Sequence, residues 1–391
     1  MKVAINGAGV AGPTLAYWLR RFGHEPVLFE KAPALRTGGY LIDFWGLGYE
    51  LSERMGILPA LLERCYLMKR LRMVDTNGDE VAGMDIAPLR DHLLGRFISV
   101  ARADLAAALV RACDGIPVRF GVFINGLEQD EHGVIAVLSN GKRERFDLIV
   151  GADGLHSRVR ELAFGSAAAC ETQIGCHVAA FRLADYPQRD ELTYVAHTVP
   201  KRQVARVALR GGETLVLMIC RSELIGAPPR DQQKAALRRA FGQMAWEVPD
   251  ILDRMDEVED VYFDRVSQIH LGNWTSGRVA LLGDAAASAS LLAGEGTGLA
   301  MIEAYVLAGE IHRASGDMAR GLAAYDTLLR PFVTTKQKAA LSLRSFFVPQ
   351  TALTLKLRDM AVNTFSIPFV AKQVVTRSLR DDFELPDYEA A

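Results

Sequence analysis

Three kinds of hydrophobic pattern follow one another along the chain. Short apolar runs at residues 2–5, 26–29, 146–150 and 279–282 lead into a glycine or an acidic residue, which is typical of strands buried on both faces of a parallel sheet. Between about residues 174 and 271, β-rich runs are separated by turn signals. Later segments carry apolar residues at helical spacing. The pattern predicts an α/β fold with an inserted antiparallel β-sheet domain and C-terminal helices.

The first run is followed by the stretch GAGVAG and then by the helical pattern PTLAYWLRRF, which stops at Gly23. In such a strand, turn and helix, the first glycine permits a tight turn, the second lets a pyrophosphate approach the backbone, and the third permits close helix packing. The helix N-terminus offers free N–H groups and a positive dipole end to the phosphates. This arrangement predicts a Rossmann-like dinucleotide-binding domain. Its phosphate contacts would come from Gly7, Gly9, Val10, Ala11 and Gly12.

The second apolar run ends in Glu30, 18 residues after Gly12. A carboxylate at this place can accept hydrogen bonds from both hydroxyls of an adenosine ribose. An acid here also argues against a 2′-phosphate at this first site. FAD or NAD therefore fits better than NADP as the resident nucleotide.

Two more strand candidates end in the same way, one before Asp153-Gly154 and one before Asp284. Because ligands sit beyond the carboxyl ends of parallel strands, three such ends predict one extended ligand, and FAD is long enough. Asp284 is expected to bind a ribityl hydroxyl rather than to transfer a proton. A glycine loop and a helix over about 299–315 follow, and their N–H groups would meet the pyrimidine edge of the flavin, where negative charge appears on reduction. The loop residues are Gly294, Gly296, Thr297 and Gly298.

In order and spacing, these motifs resemble the single-component FAD-dependent aromatic monooxygenases, the group that includes para-hydroxybenzoate hydroxylase. The shared parts are the glycine fingerprint, a DG motif with Arg160, and the GD motif at 283–284, and the match covers nearly the whole chain. Local stretches such as GGYLIDFWG look most similar to tetracycline-inactivating and polyketide-tailoring monooxygenases. The resemblance places Arg36 near a transient NAD(P)H site. It implies FAD contacts from Glu30, Lys31, Asp43, Arg102 and Asp284.

The resemblance also implies a reaction. NADPH or NADH would reduce FAD, O2 would add at the flavin C4a, and the hydroperoxide would hydroxylate an aromatic, phenolic or polycyclic small molecule. The protein groups would mainly position the substrate and keep water away from the flavin, so no catalytic side chain is predicted. Two alternatives remain open: an FAD-dependent reductase or dehydrogenase, and a cyclase or isomerase that uses FAD without oxidation. The W-x-W-x-I-P signature of flavin halogenases is absent.

One segment departs from the pattern of the group. There the GD motif usually continues with a histidine or aromatic residue, prolines and then G-Q-G. This chain has Ala287, Ser290, Leu291, Glu295 and Gly298 at those places. The change leaves FAD binding intact but affects the geometry beside C4a, and it keeps the reductase alternative open.

The motifs predict a discontinuous arrangement of domains. We expect the FAD-binding domain at 1–70, 98–173 and 272–338, the substrate-binding β-sheet domain at 71–97 and 174–271, and a C-terminal helical segment at 339–391. That segment would pack on both domains, with a membrane-surface helix as the alternative. The inserted sheet would roof the flavin and exclude water. Candidate pocket residues, for which a core or surface role is the alternative, are Trp45, Phe181, Arg206, Met218 and Leu291.

The amino-acid composition restricts the classes of binding partner that we expect. The 45 basic and 47 acidic residues nearly cancel, so no field of one sign would recruit nucleic acid or an anionic membrane. No apolar run approaches the roughly 18 residues of a membrane span. Five scattered cysteines and eight histidines lack metal spacing, so we expect buried thiols and no metal. We expect a cytoplasmic monomer or homodimer whose partners are O2 and an aromatic small molecule.

Overall fold

The computed structural model describes residues 1–35, 38–166, 169–290, 292, 294–365 and 382–389. Two of the residues singled out above, Arg36 and Leu291, lie outside the described residues.

A six-stranded, mainly parallel sheet forms the nucleotide-binding half, as the short apolar runs predict. Its order is β17-β18-β11-β1-β2-β7, and the edge pair β17-β18 is antiparallel. The successive residues Ala4 and Ile5 are completely buried, because helix α1 and the three-stranded sheet described below both pack against these strands. The strands are β1 (Lys2–Asn6), β2 (Glu25–Glu30), β7 (Val118–Phe120), β11 (Leu148–Gly151), β17 (Thr275–Ser276) and β18 (Val279–Leu281).

A seven-stranded sheet forms the second half. Its order is β16-β12-β15-β14-β13-β4-β5, and every pair is antiparallel except β13-β4, which is parallel. The predicted antiparallel sheet is therefore confirmed with one parallel pair. Its strands are β4 (Arg70–Val74), β5 (Glu80–Asp85), β12 (Glu171–Leu183), β13 (Thr193–Val199), β14 (Arg202–Ala208), β15 (Thr214–Arg221) and β16 (Tyr262–Ile269).

Two small antiparallel sheets and twelve helices complete the described part of the chain. The small sheets comprise β3 (Leu41–Trp45) with β6 (Phe97–Ala101), and β8 (Ile124–Asp130) with β9 (Gly133–Leu138) and β10 (Arg143–Phe146). The helices are α1 (Ala11–Arg21), α2 (Gly46–Arg54), α3 (Leu58–Leu62), α4 (Ala87–His92), α5 (Arg102–Ala112), α6 (Arg158–Phe164), α7 (Gln233–Phe241), α8 (Val248–Met255), α9 (Asp284–Ala287), α10 (Gly296–Arg313), α11 (Met318–Phe347) and α12 (Ala352–Phe365).

Some sequence expectations change in the structure. The turn signal at Arg210–Glu213 corresponds to a three-residue loop, because Leu209 N–H donates to Glu213 O. The predicted boundary at 173/174 falls inside β12, and the one at 338/339 falls inside α11. Each of these elements therefore belongs to both predicted segments.

The described C-terminal segment, 382–389, packs against the nucleotide-binding half. The Tyr388 side chain is almost completely buried, and its hydroxyl donates to Glu310 on α10 at 2.6 Å. A Cβ added to Gly309 would lie 2.1 Å from the Tyr388 ring, so the glycine makes room for this side chain. None of the helices within residues 1–365 combines the length and apolar composition needed to cross a membrane.

Candidate functional site

The three glycine-and-acid strand ends lie side by side. In the parallel register, Asn6 pairs with Gly151, and Gly151 pairs with Leu281. The ends of β1, β11 and β18 therefore meet at one edge of the sheet, as the motif spacing predicts. The Asn6 amide joins two of the loops, because its Nδ2 donates to Asp153 at 2.9 Å and its Oδ1 accepts from Ile124 N at 2.9 Å.

Each of the three fingerprint glycines is required for a different steric reason. Gly7 has a φ of +116°, and a Cβ there would lie 2.3 Å from Ala152 O. A Cβ on Gly12 would lie 1.9 Å from Gly7 O, so helix α1 could not pack against the turn. At Gly9, by contrast, a Cβ would meet only Arg102 Nη2, at 4.0 Å. The protein itself requires the first and third glycines, while the space at the second is left open for a ligand.

Arg102 and Asp284 flank this open space. Arg102 is exposed at the start of α5, with its guanidinium near Gly9. Asp284 is exposed to solvent but has many protein atoms around it, and this partial burial raises its pKa while Arg102 and Ser288 oppose the rise. Its Oδ1 lies 3.8 Å from the Cβ position of Gly296, at the beginning of α10. A cation, a carboxylate and the N-termini of α1 and α10 thus converge around one groove.

Glu30 lies at the end of β2, as expected for a ribose acceptor. Its two carboxylate oxygens accept from Ala8 N and Ala32 N, both at 2.9 Å. Each oxygen has a second lone-pair direction, so the carboxylate can still accept hydroxyl groups. Lys31, which follows it, is exposed.

The DG motif organises the loops rather than facing an open space. Asp153 accepts from Asn6, from Ser157 Oγ, and from the backbone N–H groups of Arg158 and Val159. Its acceptor positions are used within the protein, so we expect it to act on a cofactor indirectly. Gly154 has a φ of +80° in this loop. Arg160 is buried and donates to Leu155 O and Ala285 O, which ties this loop to the segment after Asp284.

Asp43 links the two halves of the molecule. Its Oδ1 accepts from Ser99 Oγ at 2.5 Å and from Tyr194 OH at 2.9 Å. Burial raises the pKa of the Asp43 carboxyl, and the two hydroxyl donors act against this rise. Sequence reasoning missed Ser99 and Tyr194, since they lie on distant strands and carry no motif.

A recess lies beside Asp43, between β3, α2 and the start of α10. Gly48 and Gly298 permit close contact of α2 and α10, because a Cβ on Gly48 would lie 2.9 Å from Gly298 Cα. Glu295 at its rim pairs with Lys336 of α11 at 3.1 Å, and both side chains are largely buried. The recess is lined by Asp43, Phe44, Trp45, Gly48, Gly294, Glu295, Gly298, Leu299 and Ile302.

Only part of the predicted pocket set lies at this site. Trp45 lines the recess and stacks on Phe97. Phe181 and Met218 instead lie in the hydrophobic core between the seven-stranded sheet and helices α7 and α8. Arg206 is also buried on that side, where it pairs with Asp190 and Glu247, both at 2.7 Å. These three assignments are corrected, because their side chains point to the face of the sheet that the helices cover.

The residues present fit FAD. The space at Gly9 and the N-terminus of α1 suit a pyrophosphate, with Arg102 as its cation. Glu30 suits the adenosine ribose, Asp284 and Asp43 suit ribityl hydroxyls, and the start of α10 suits the electron-rich edge of a flavin. Across the described ranges, no three His, Cys, Asp or Glu side chains gather in a way that could hold a metal ion.

Comparisons with known proteins support FAD as the cofactor. A family model described as an FAD binding domain matches residues 1–336. A flavin-dependent monooxygenase from an unknown prokaryotic organism is 32% identical over 395 residues, covering 100% of this chain and 99% of the relative. Another flavin-dependent monooxygenase, from Legionella longbeachae serogroup 1 (strain NSW150), is 30% identical over 403 residues, covering 100% of this chain and 99% of the relative.

Solved structures show the same fold. The crystal structure of tetracycline destructase Tet(51) matches with a TM-score of 0.83 and 30% identity over 99% of both chains. Klebsiella pneumoniae HpxO complexed with FAD and uric acid matches with a TM-score of 0.80 and 21% identity over 97% of both chains. The chain therefore belongs to the FAD binding domain family, and it is an FAD-dependent monooxygenase.

Proposed function

We propose that this monooxygenase uses NADPH or NADH and O2 to hydroxylate a flat, largely apolar aromatic molecule, of which a polycyclic compound resembling tetracycline is the first candidate. The observation that carries this proposal is the face of the seven-stranded sheet that lies opposite α7 and α8. There, five apolar side chains are only half-buried, and for two of them, Ala205 and Leu217, the residues on either side in the sequence are fully buried. The half-buried residues are Leu71, Met84, Ala205, Leu217 and Tyr262.

Pairing across the strands places small residues in one row of this face. Ala180 pairs with both Leu217 and Tyr262, and Ala205 pairs with both Leu217 and Ala196. Ala180, Ala196 and Ala205, here called the alanine row, have small side chains on this face; Ala205 is half-buried, whereas Ala180 and Ala196 are almost completely buried. Phe346 and Phe347 of α11, both half-buried, contribute aromatic surface near the same face. The row therefore suits a flat hydrophobic ligand.

The same face is joined to the flavin site. Tyr194 from β13 donates to Asp43, and the ring of Tyr262 lies 5.6 Å from the ring of Tyr40. Burial raises the pKa of both Tyr40 and Tyr262, so their hydroxyls keep their protons at neutral pH. A substrate on the alanine row would thus lie between the sheet and the flavin.

In this arrangement the chain binds FAD, orients the substrate and excludes water. When bound, FAD supplies the electrons and the oxygen chemistry. Arg102, Asp284 and Asp43 hold the cofactor, and the sheet with α11 keeps water from the reacting centre. NAD(P)H would bind only briefly. Our further proposals are a cytoplasmic location and a monomeric or homodimeric state.

The test is turnover in ¹⁸O2 with tetracycline and, separately, uric acid as probes, with NADPH or NADH as reductant. We expect NAD(P)H oxidation to accelerate with tetracycline and one labelled oxygen atom to enter the product. Enzyme carrying 5-deaza-FAD, which accepts hydride but does not activate O2, should give no product. A reduced, unlabelled product would favour a reductase, and an isomeric product formed without NAD(P)H would favour a cyclase.

A further inference from the structure

Residues 285–294 connect Asp284 to the loop at the start of α10, so both ends of this segment belong to the flavin site. It is also the segment in which this chain lacks the proline turn of the proteins it resembles. Even so, Ser288, Ala289 and Ser290 are almost completely buried. Ser290 has a φ of +103°, which a residue with a side chain rarely adopts. Something other than proline must hold this backbone in place.

Two buried glutamine side chains contact the segment. Gln337 of α11 donates from its Nε2 to Ser288 O at 3.0 Å and to Ile269 O at 2.8 Å. Gln268 of β16 donates from its Nε2 to Ala289 O at 3.0 Å and to Gln337 O at 2.7 Å. Their exposed fractions are only 5% and 1%, so water competes little for these bonds.

The orientation of both amides is determined by their partners. A backbone carbonyl only accepts hydrogen bonds, so each amide must turn its nitrogen toward the two carbonyls that it contacts. Each Nε2 has two hydrogens, and both are used. The pair therefore forms a closed link from β16 through α11 to the carbonyls of Ser288 and Ala289.

We propose that Gln337 and Gln268 are positioning residues that replace the missing proline turn. They hold the backbone at Ser288 and Ala289 against β16 and α11, and so limit the access of water to the flavin where O2 reacts. This inference rests on the proposed function of the site. Proline stiffens a turn by fixing φ, whereas here amide donors fix the carbonyls from outside.

The test uses the holoenzyme and needs neither a substrate nor a nicotinamide nucleotide. The variant Gln337→Met keeps the volume of the side chain and removes both donors. FAD would be reduced with dithionite and mixed with O2, and the return of the oxidised flavin absorbance and the release of hydrogen peroxide would be followed. Hydrogen exchange of the peptide that contains residues 285–292 would report the backbone directly.

We expect Gln337→Met to accelerate exchange in this peptide roughly tenfold, because two buried hydrogen bonds are lost. We expect flavin reoxidation and peroxide release to become about 5 to 30 times faster for the same reason. The matched control is Gln188→Met. Gln188 donates to two carbonyls, Tyr186 O and Glu213 O, at the edge of the sheet domain, and this variant should change neither readout.

Faster exchange with unchanged reoxidation would overturn the positioning role, since the amides would then serve only the fold. Unchanged exchange would overturn the link itself. If Gln337→Met fails to fold or to retain FAD, Gln268→Met removes the other half of the link and decides by the same two readouts. Failure of the proposed function would appear separately, as the absence of ¹⁸O from the product, and leaves these readouts interpretable.

Discussion

In the proposed function, the carboxyl edge of the six-stranded sheet and the alanine-row face of the seven-stranded sheet form two sides of one site by different means. The edge uses backbone: glycines without room for a Cβ, helix N-termini and a few acids. The face uses side chains whose only requirements are their size and their side of the sheet. A cofactor held by backbone tolerates little change, whereas a substrate surface made of alanines and leucines can be altered one residue at a time. Under the proposed function, this difference would let an enzyme keep FAD while its substrate surface changes.

The edge can be tested most severely at Gly9. Replacing Gly9 with Val should abolish FAD retention, because the side chain would occupy the open space assigned to the pyrophosphate. The fold should survive, since the only atom near that Cβ is Arg102 Nη2, at 4.0 Å. The FAD-to-protein ratio and thermal unfolding of the apoprotein would be measured.

Gly12→Ala is the contrasting variant, because its Cβ would lie 1.9 Å from Gly7 O and should disrupt the fold itself. If Gly9→Val retained stoichiometric FAD, the pyrophosphate would have to lie elsewhere.

Substitutions on the face covered by α7 and α8 should change stability and leave substrate binding unaffected. Replacing Arg206 with Met leaves Asp190 and Glu247 without their buried partner and should cost about 3 to 5 kcal/mol in the free energy of unfolding. Urea denaturation measures this cost. The KM for tetracycline of the molecules that remain folded should not change. A change in KM would return Arg206 to the substrate site.

The buried side chain of Glu303 makes the stability of this sheet edge depend on pH. Burial raises the pKa of Glu303 to about 8, and its Oε2 accepts from Gly283 N–H at 2.6 Å, next to Asp284. The unfolded chain loses this proton from about pH 4.5 upward, while the folded chain keeps it to about pH 8. Stability is therefore lost as pH rises through this window.

Glu303→Gln retains an acceptor for Gly283 but does not ionise. Between pH 5 and pH 8, the wild type should lose about 2 to 4 kcal/mol more stability than this variant. Denaturant unfolding at the two pH values measures the difference. Parallel pH profiles would show that Glu303 is ionised in the folded protein.

Substitutions on the alanine-row face should change activity rather than stability. Replacing Ala205 with Phe should fill the alanine row and lower turnover of tetracycline about tenfold, with little change in thermal stability because the position is half-buried. Val204→Leu, at a completely buried position on the opposite face, is the control: it should lower stability and leave turnover unchanged. Equal effects of both variants on turnover would remove the distinction between the two faces.

These residues also show how far sequence reasoning reached. Gly7, Gly9, Gly12 and Asp284 were identified because a phosphate turn and a strand end impose a local pattern that can be read directly. Phe181 and Met218 were pocket candidates with a core role as the alternative, and the core role is the one found, because an apolar pattern on both faces of a strand does not show which face a helix covers. Ala205 and Leu217 lie next in sequence to Arg206 and Met218 and point to the face that the proposed function assigns to the substrate.

By itself, the sequence determined the elements whose causes are local: the buried parallel strands, the glycine turns, the acids at their ends and hence the cofactor. Tertiary structure decided what depends on residues far apart in the chain. It brought Tyr194 to Asp43, and Gln268 and Gln337 to Ser288 and Ala289. Such contacts carry no motif, because a hydrogen bond between distant elements constrains only the two side chains involved and leaves no periodicity around them.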